Sequence, residues 1–131
     1  MGAQVAKECL AYHSRSLART VTRLYDDAMR KHGLTVGQFN VLAAIGAAGP
    51  IRATSLGQHL NIEKSTLSRN LNLMHRQGWV KENGKRAGRV RELTLTASGK
   101  QVLEAAFSSW VAAQLKAKQV LSEELASALI V

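Results

Sequence analysis

The stretch from Thr54 to Trp79 constrains the fold more than any other, because its pattern predicts two short helices joined by a tight turn. In the second helix, Leu67, Leu71 and Met74 recur at helical spacing and therefore share one side. The opposite side carries polar and basic residues, namely Ser65, Arg69, Asn72 and Arg76. Such a helix can pack into a core on one side and offer hydrogen-bond donors to a partner on the other.

The ends of these two helices also have recognisable signals. Thr54 is expected to cap the first helix, and Asn61 is expected to end it. Glu63 is expected to cap the second helix, where a negative charge favours the positive end of the helix dipole, and Gly78 is expected to stop it. The alternative is an ordinary helix pair of an all-α domain whose basic face is only solvated.

The location of the positive charge favours a binding surface. The net charge is +9, and residues 64–91 hold eight Lys or Arg and one acid, which is +7 in 28 residues. The first 63 residues carry +3 and the last 40 carry −1, so the excess is concentrated in one block. A basic block on a helix pair and the segment after it is expected of a surface that binds phosphate.

After Trp79 the pattern changes from helical to extended. Residues 80–82 and 89–95 are predicted strands, and the Asn-Gly pair in the segment between them, 83–88, is a strong turn signal. A β-hairpin directly after the second helix of a helix–turn–helix is a winged helix, and its basic tip suits phosphate or minor-groove contact. The alternative is a solvated hairpin without a partner.

The rest of the chain is predicted to be helical. The expected elements are a long helix over 5–31 ended by Gly33, a helix over 36–48, a very short strand at 51–53, a helix over 97–115 capped by Thr96, and a last helix capped by Ser122. Trp110 is expected in the core. The fold class is therefore mainly α with a small β-wing. The long first helix has more apolar surface than a small domain can cover, which indicates a partner subunit.

Composition argues against several other classes of protein. A length of 131 residues with 46% hydrophobic content fits one domain with a real core. A single Cys cannot form an internal disulfide, and the sequence shows neither a signal peptide nor a membrane-length apolar run, so a cytoplasmic protein is expected. The four His lie in different predicted elements, and no catalytic pair or Gly-rich phosphate loop stands out. We therefore expect no enzyme, metal or cofactor.

The order of these elements resembles the MarR family of bacterial transcription regulators, and the resemblance covers almost the whole chain. It is carried by RLYDDAMRKHGLTVGQFNVLAAI, by SLGQHLNIEKSTLSRNLNLMHRQGWV and by VRELTLTASGK. The middle segment is the most specific, because its helix–turn–helix is followed at once by the wing. The resemblance implies one MarR-like domain over 1–131, with long N- and C-terminal dimerisation helices at 5–33 and 97–131 and a DNA-binding lobe at 36–95.

The resemblance also implies a function. A homodimer would bind double-stranded DNA at a pseudo-palindromic operator, usually as a repressor released by a small-molecule effector or an oxidant. Carried over by position, the recognition-helix residues would be Lys64, Ser65, Thr66, Ser68, Arg69 and Asn72, with Lys64 and Asn72 nearer phosphates. The wing residues would be Lys85, Arg86, Arg89 and Arg91. Ala87 stands where the family commonly has Asp, so Arg91 is expected to share the role of Arg89.

The sequence leaves two alternatives open. Cys9, with His13 one turn later, is a candidate redox sensor, since a cationic His raises the thiolate fraction of a nearby thiol; the other interpretation is a small buried hydrophobe. The whole domain could instead be a winged-helix module for protein–protein contact or dimerisation without DNA binding. The clustered charge speaks against such a module, because the cores of protein interfaces are depleted in Lys.

Overall fold

The structure, a computed structural model, describes residues 1–83 and 91–130. Its helices are α1 (Gly2–Glu8), α2 (Leu10–Met29), α3 (Val36–Ala48), α4 (Ala53–Leu60), α5 (Lys64–Arg76), α6 (Ala97–Val120) and α7 (Glu123–Leu129). Its strands are β1 (Ile51–Arg52), β2 (Val80–Asn83) and β3 (Glu92–Leu95). The predicted fold class, mainly α with a small β-wing, is confirmed.

The three strands form one antiparallel sheet in the order β1-β3-β2. Ile51 pairs with Leu93, and Val80 pairs with Leu95. The very short strand expected at 51–53 is therefore present, and it joins the start of α4 to the hairpin that follows α5. This pairing makes the helix–turn–helix and the wing one packed unit.

The N-terminal segment is not the single helix predicted over 5–31. Cys9 has extended backbone angles, φ −70° and ψ 107°, and separates α1 from α2. Nothing in the sequence around Cys9 explains this break. The other end matches the expectation, because a 3₁₀ turn over Arg30–His32 leads into Gly33, whose φ of 72° is left-handed and suits glycine.

The predicted N-cap residues are correct at three helices and wrong at one. The Thr96 and Ser122 hydroxyls accept hydrogen bonds from the amides of Gly99 and Leu125, as expected of N-caps. Thr54 lies inside α4, which begins at Ala53 after an extended Arg52, so Thr54 is not its cap. Glu63 holds the N-cap position of α5, but its side chain makes no capping hydrogen bond.

The core lies where α3, α5, the sheet and α6 meet. Its largest fully buried side chains are Met29, Leu42, Ile45, Leu56, Met74, Leu93 and Val41. Helix α6 runs five residues beyond the predicted end at 115, because the buried face continues through Ala117 to Leu121. In the described part of the chain, no helix is both long and apolar enough to cross a membrane.

Candidate nucleic-acid interface

Helix α5 presents a polar face to the outside because its apolar face is fixed in the core. Leu67, Leu71 and Met74 are all buried, with 4%, 8% and 0% of their surface exposed. The predicted contact residues lie on the other faces: Lys64, Ser65, Ser68, Arg69 and Asn72 are exposed, and Thr66 is half-buried. The structure therefore brings all six into one helix, with its amphipathic direction as predicted.

The turn before α5 fixes the helix against α4. Asn61 ends α4 in the left-handed conformation, with φ 52°, which Asn adopts more readily than most other residues. At Gly57, an added Cβ would lie 3.3 Å from a Leu67 methyl, so α4 and α5 pack closely at this point. The first turn of α5 is therefore packed closely against α4, while Lys64 and Ser65 at its start are exposed.

Arg69 supplies a guanidinium donor to this face. It is exposed, and its Nη2 lies 3.4 Å from the Thr66 hydroxyl oxygen, a long and weak hydrogen bond. The guanidinium can leave this contact at little cost and present its two-nitrogen edge to a base. Such a bidentate contact is the commonest way in which proteins read guanine.

The wing is only partly within the described residues. The predicted wing contacts Lys85, Arg86 and Arg89 lie outside the described residues. Arg91 is described: its side chain is 81% exposed, and Nη1 lies 3.5 Å from Oε2 of Glu82 on β2. Arg91 thus lies beside the strand that follows the recognition helix.

Trp79 and Thr96 connect the end of the recognition helix to the start of α6. The Thr96 amide donates to the Trp79 carbonyl at 3.0 Å, and the Thr96 hydroxyl donates to the Gly78 carbonyl at 2.6 Å. Gly99 lies against the same carbonyl, so close that an added Cβ would be 2.1 Å from its oxygen. The sequence interpretation missed this junction, for which a Gly in the first turn of a capped helix was the only signal.

A cavity of about 500 Å³ lies between α3, β3 and the first half of α6. It is lined by Phe39, Leu103, Phe107 and Trp110, with Lys100 and Glu104 at α6 positions that are exposed. Trp110 stacks on Phe107 at 5.7 Å between ring centroids and on Phe39 at 6.5 Å. Trp110 was expected in the core; it packs against the core but also lines this cavity.

Cys9 is a half-buried free thiol at the break between α1 and α2. His13 is nearby in sequence, but its Nε2 lies 2.9 Å from the Lys7 carbonyl oxygen, which is the one hydrogen bond the described residues give to its ring.

Burial raises the pKa of Tyr25, whose hydroxyl on α2 donates to the Gln114 side chain of α6. Among residues 1–83 and 91–130, no three His, Cys, Asp or Glu are grouped to hold a metal ion.

These features define a winged helix–turn–helix protein with an outward basic recognition helix. The family model for the MarR family matches residues 32–89. The M. tuberculosis transcriptional regulator MosR, in a crystal structure in complex with DNA, is similar to this chain, with 33% sequence identity and a TM-score of 0.78. The alignment covers 88% of this chain and 84% of the MosR chain. The chain belongs to the MarR family.

Two further proteins are similar to this chain. A mutant of E. coli MarR complexed with operator DNA has the same fold, with a TM-score of 0.83 at 20% identity, covering 96% of this chain and 91% of its own. The uncharacterised HTH-type transcriptional regulator YwoH of Bacillus subtilis is 23% identical over 95 residues, which are 72% of this chain and 69% of YwoH.

Proposed function

We propose that this protein is a DNA-binding transcriptional regulator that acts as a homodimer in the cytoplasm, as a repressor released by a small-molecule effector or an oxidant. The observation that carries the proposal is helix α5, which is locked into the core by Leu67, Leu71 and Met74 while its polar and basic face stays exposed. Relatives whose structures contain DNA support it, since MosR and E. coli MarR have been crystallised with DNA.

Within this proposal the recognition helix supplies the discrimination and the wing supplies phosphate contacts. Arg69 would read a base edge together with Ser65, Thr66 and Ser68, and Lys64 and Asn72 would bind phosphate. The wing residues Lys85, Arg86, Arg89 and Arg91 would follow the backbone or the minor groove. The charge of +7 over residues 64–91 supplies the attraction to DNA.

Exposed apolar side chains support the homodimer. Val5, Leu10, Leu115, Leu129 and Ile130 are 58%, 83%, 60%, 63% and 69% exposed in the single chain. They belong to the N-terminal helices, to α6 and to the C-terminal end, which are the proposed dimerisation segments over 5–33 and 97–131. A second copy would cover this surface, and the lobe over 36–95 would remain free for DNA.

Release from DNA would be triggered at one of two sites, the cavity between α3 and α6 or Cys9. The aromatic cavity between α3 and α6 is one place where an effector could act on the spacing of the two recognition helices. Cys9, at the break between α1 and α2, is the proposed site for an oxidant. With one Cys in the chain, oxidation there would yield a sulfenic acid, a mixed disulfide or an intersubunit bond.

The test begins with a duplex selected from a random-sequence pool, to which binding is measured by fluorescence anisotropy at several salt concentrations. We expect affinity to fall steeply as salt rises. Arg69→Ala should lower affinity for the selected duplex about 5-fold to 150-fold and relax the preference at one base position. Arg23→Ala removes the same charge from the exposed face of α2, and this control should bind almost as the wild type does.

The competing function is a winged helix used only for protein contact. It predicts no selected duplex and no steep loss of affinity as salt rises. A uniform loss over all sequences in Arg69→Ala would instead show that Arg69 contacts only phosphate.

A further inference from the structure

The carboxylate of Glu82 joins three elements of the winged helix. Its Oε1 lies 3.6 Å from Nε2 of His75, near the end of α5, and its Oε2 lies 3.5 Å from Nη1 of Arg91, just before β3. The Glu82 and His75 side chains are 39% and 32% exposed, whereas Arg91 is 81% exposed. Glu82 therefore connects the recognition helix to an otherwise solvated arginine.

The backbone holds Glu82 in a defined place. In the antiparallel pairing of β2 with β3, Glu82 is opposite Leu93 and Asn83 is opposite Glu92, so Arg91 is the next residue beyond the paired segment. Asn83 also donates from Nδ2 to the Thr94 hydroxyl at 3.1 Å across the same strands. The register of the sheet thus fixes the backbones of Glu82 and Arg91 relative to each other.

The negative charge of Glu82 by itself opposes DNA binding, so a compensating role is needed to explain an acid at this position. Its negative charge lies in a segment whose other charges are all positive, and it would repel phosphate. A free arginine side chain, in turn, loses rotamer freedom when it binds, and a partner that holds it beforehand reduces this loss. The position of Glu82 between His75 and Arg91 gives the acid such a role, because its carboxylate lies within 4 Å of both side chains.

We propose that Glu82 is a positioning residue that holds Arg91 beside the recognition helix, with His75 as its second anchor, so that Arg91 meets the DNA backbone in one fixed register. The proposal rests on the proposed DNA-binding function. It predicts that Glu82 lowers the affinity for DNA of any sequence but raises the ratio of affinity for the preferred site to affinity for random sequence. Its effect on discrimination must pass through Arg91.

The experiment compares affinity for the selected duplex with affinity for random duplex in wild type and in Glu82→Gln, Arg91→Gln and the double variant. In Glu82→Gln, affinity for random duplex should be equal or higher, because a like charge is removed. The ratio of selected to random affinity should fall about threefold to fivefold, which is the upper part of what one exposed ion pair supplies. In the Arg91→Gln background, Glu82→Gln should no longer change this ratio.

Two further variants separate charge from position. Glu92→Gln removes an equal charge from the neighbouring strand, where no ion pair of Glu92 is present among the described residues, and it should leave the ratio unchanged. Glu82→Asp keeps the charge but shortens the reach, so it should lower the ratio without raising affinity for random duplex. Thermal unfolding of each variant identifies any that is not folded.

Equal effects of Glu82→Gln with and without Arg91 would overturn the positioning role, as would a Glu92→Gln variant that lowers the ratio as much. If the wild type binds duplex and loses affinity with salt but shows no such coupling, this inference fails and the proposed function stands. A wild type that binds no duplex overturns both.

Discussion

The substitution Gly99→Ala tests the junction between the recognition helix and α6. An added Cβ at Gly99 would lie 2.1 Å from the Trp79 carbonyl oxygen, 2.9 Å from its carbon and 3.2 Å from its Cα. Ordinary contact begins near 3.4 Å, so the backbone at Trp79 or the first turn of α6 must move by about 1.3 Å. Because the obstacle is backbone, no rotamer change can relieve it.

The expected loss of stability follows from three terms. Overpacking of this kind costs about 1–3 kcal/mol. The Trp79 carbonyl also accepts a hydrogen bond from the Thr96 amide at 3.0 Å. Loss of that hydrogen bond adds about 0.5–1.5 kcal/mol to the destabilisation. The better helix propensity of Ala returns up to about 1 kcal/mol. Together these ranges give a net destabilisation of about 0.5–4.5 kcal/mol, with a central value of about 2.5 kcal/mol.

The assay is urea unfolding at one fixed protein concentration, since the apparent stability of a dimer depends on concentration. The matched control is Gly37→Ala in the first turn of α3, where the nearest atom to the added Cβ is the Thr35 hydroxyl oxygen at 3.8 Å. This control should be neutral or slightly more stable than wild type. A Gly99→Ala variant as stable as wild type, or no worse than Gly37→Ala, would refute the reasoning about the junction.

Three other perturbations test separate parts of the account. Leu115→Glu, at a side chain 60% exposed in the single chain, should convert dimer to monomer in sedimentation, and an unchanged dimer would place the interface elsewhere. The control Gln58→Glu, at an exposed position of α4 in the lobe over 36–95, should leave the dimer intact. Burial raises the pKa of Tyr25 above its ordinary value of 10.0, so the unfolded chain loses the phenol proton at a lower pH than the folded chain. The free energy of unfolding should therefore fall as pH rises through the folded pKa. This fall should be shallower in Tyr25→Phe, and an identical slope in the two proteins would contradict the prediction. Hydroperoxide should weaken DNA binding of wild type but not of Cys9→Ser, and equal sensitivity of the two would exclude Cys9 as the sensor.

The helix–turn–helix was predictable because its signal is local. The spacing of Leu67, Leu71 and Met74 fixes which side of α5 is buried, and the structure has those residues in the core. The Asn-Gly turn after a helical segment likewise predicts the hairpin, and β2 and β3 pair on its two sides.

The failures come from contacts between residues far apart in sequence. Thr54 looks like an N-cap, but the pairing of Ile51 with Leu93 places Arg52 in the sheet, and α4 begins directly after it. The carboxylate of Glu82 meets Arg91 only through the register of the hairpin, which the sequence does not specify. The break at Cys9 interrupts a segment without Gly or Pro at that point, so no local rule predicts it.

The most direct test of the central claim is a hydroxyl-radical footprint of the protein on a selected duplex. A homodimer that presents two α5 helices should protect two segments related by a pseudo-dyad. Their centres should lie about one helical turn apart, roughly 34 Å or 10–10.5 base pairs. A single protected block without a dyad, or no protection at concentrations where the protein is dimeric, would contradict the claim.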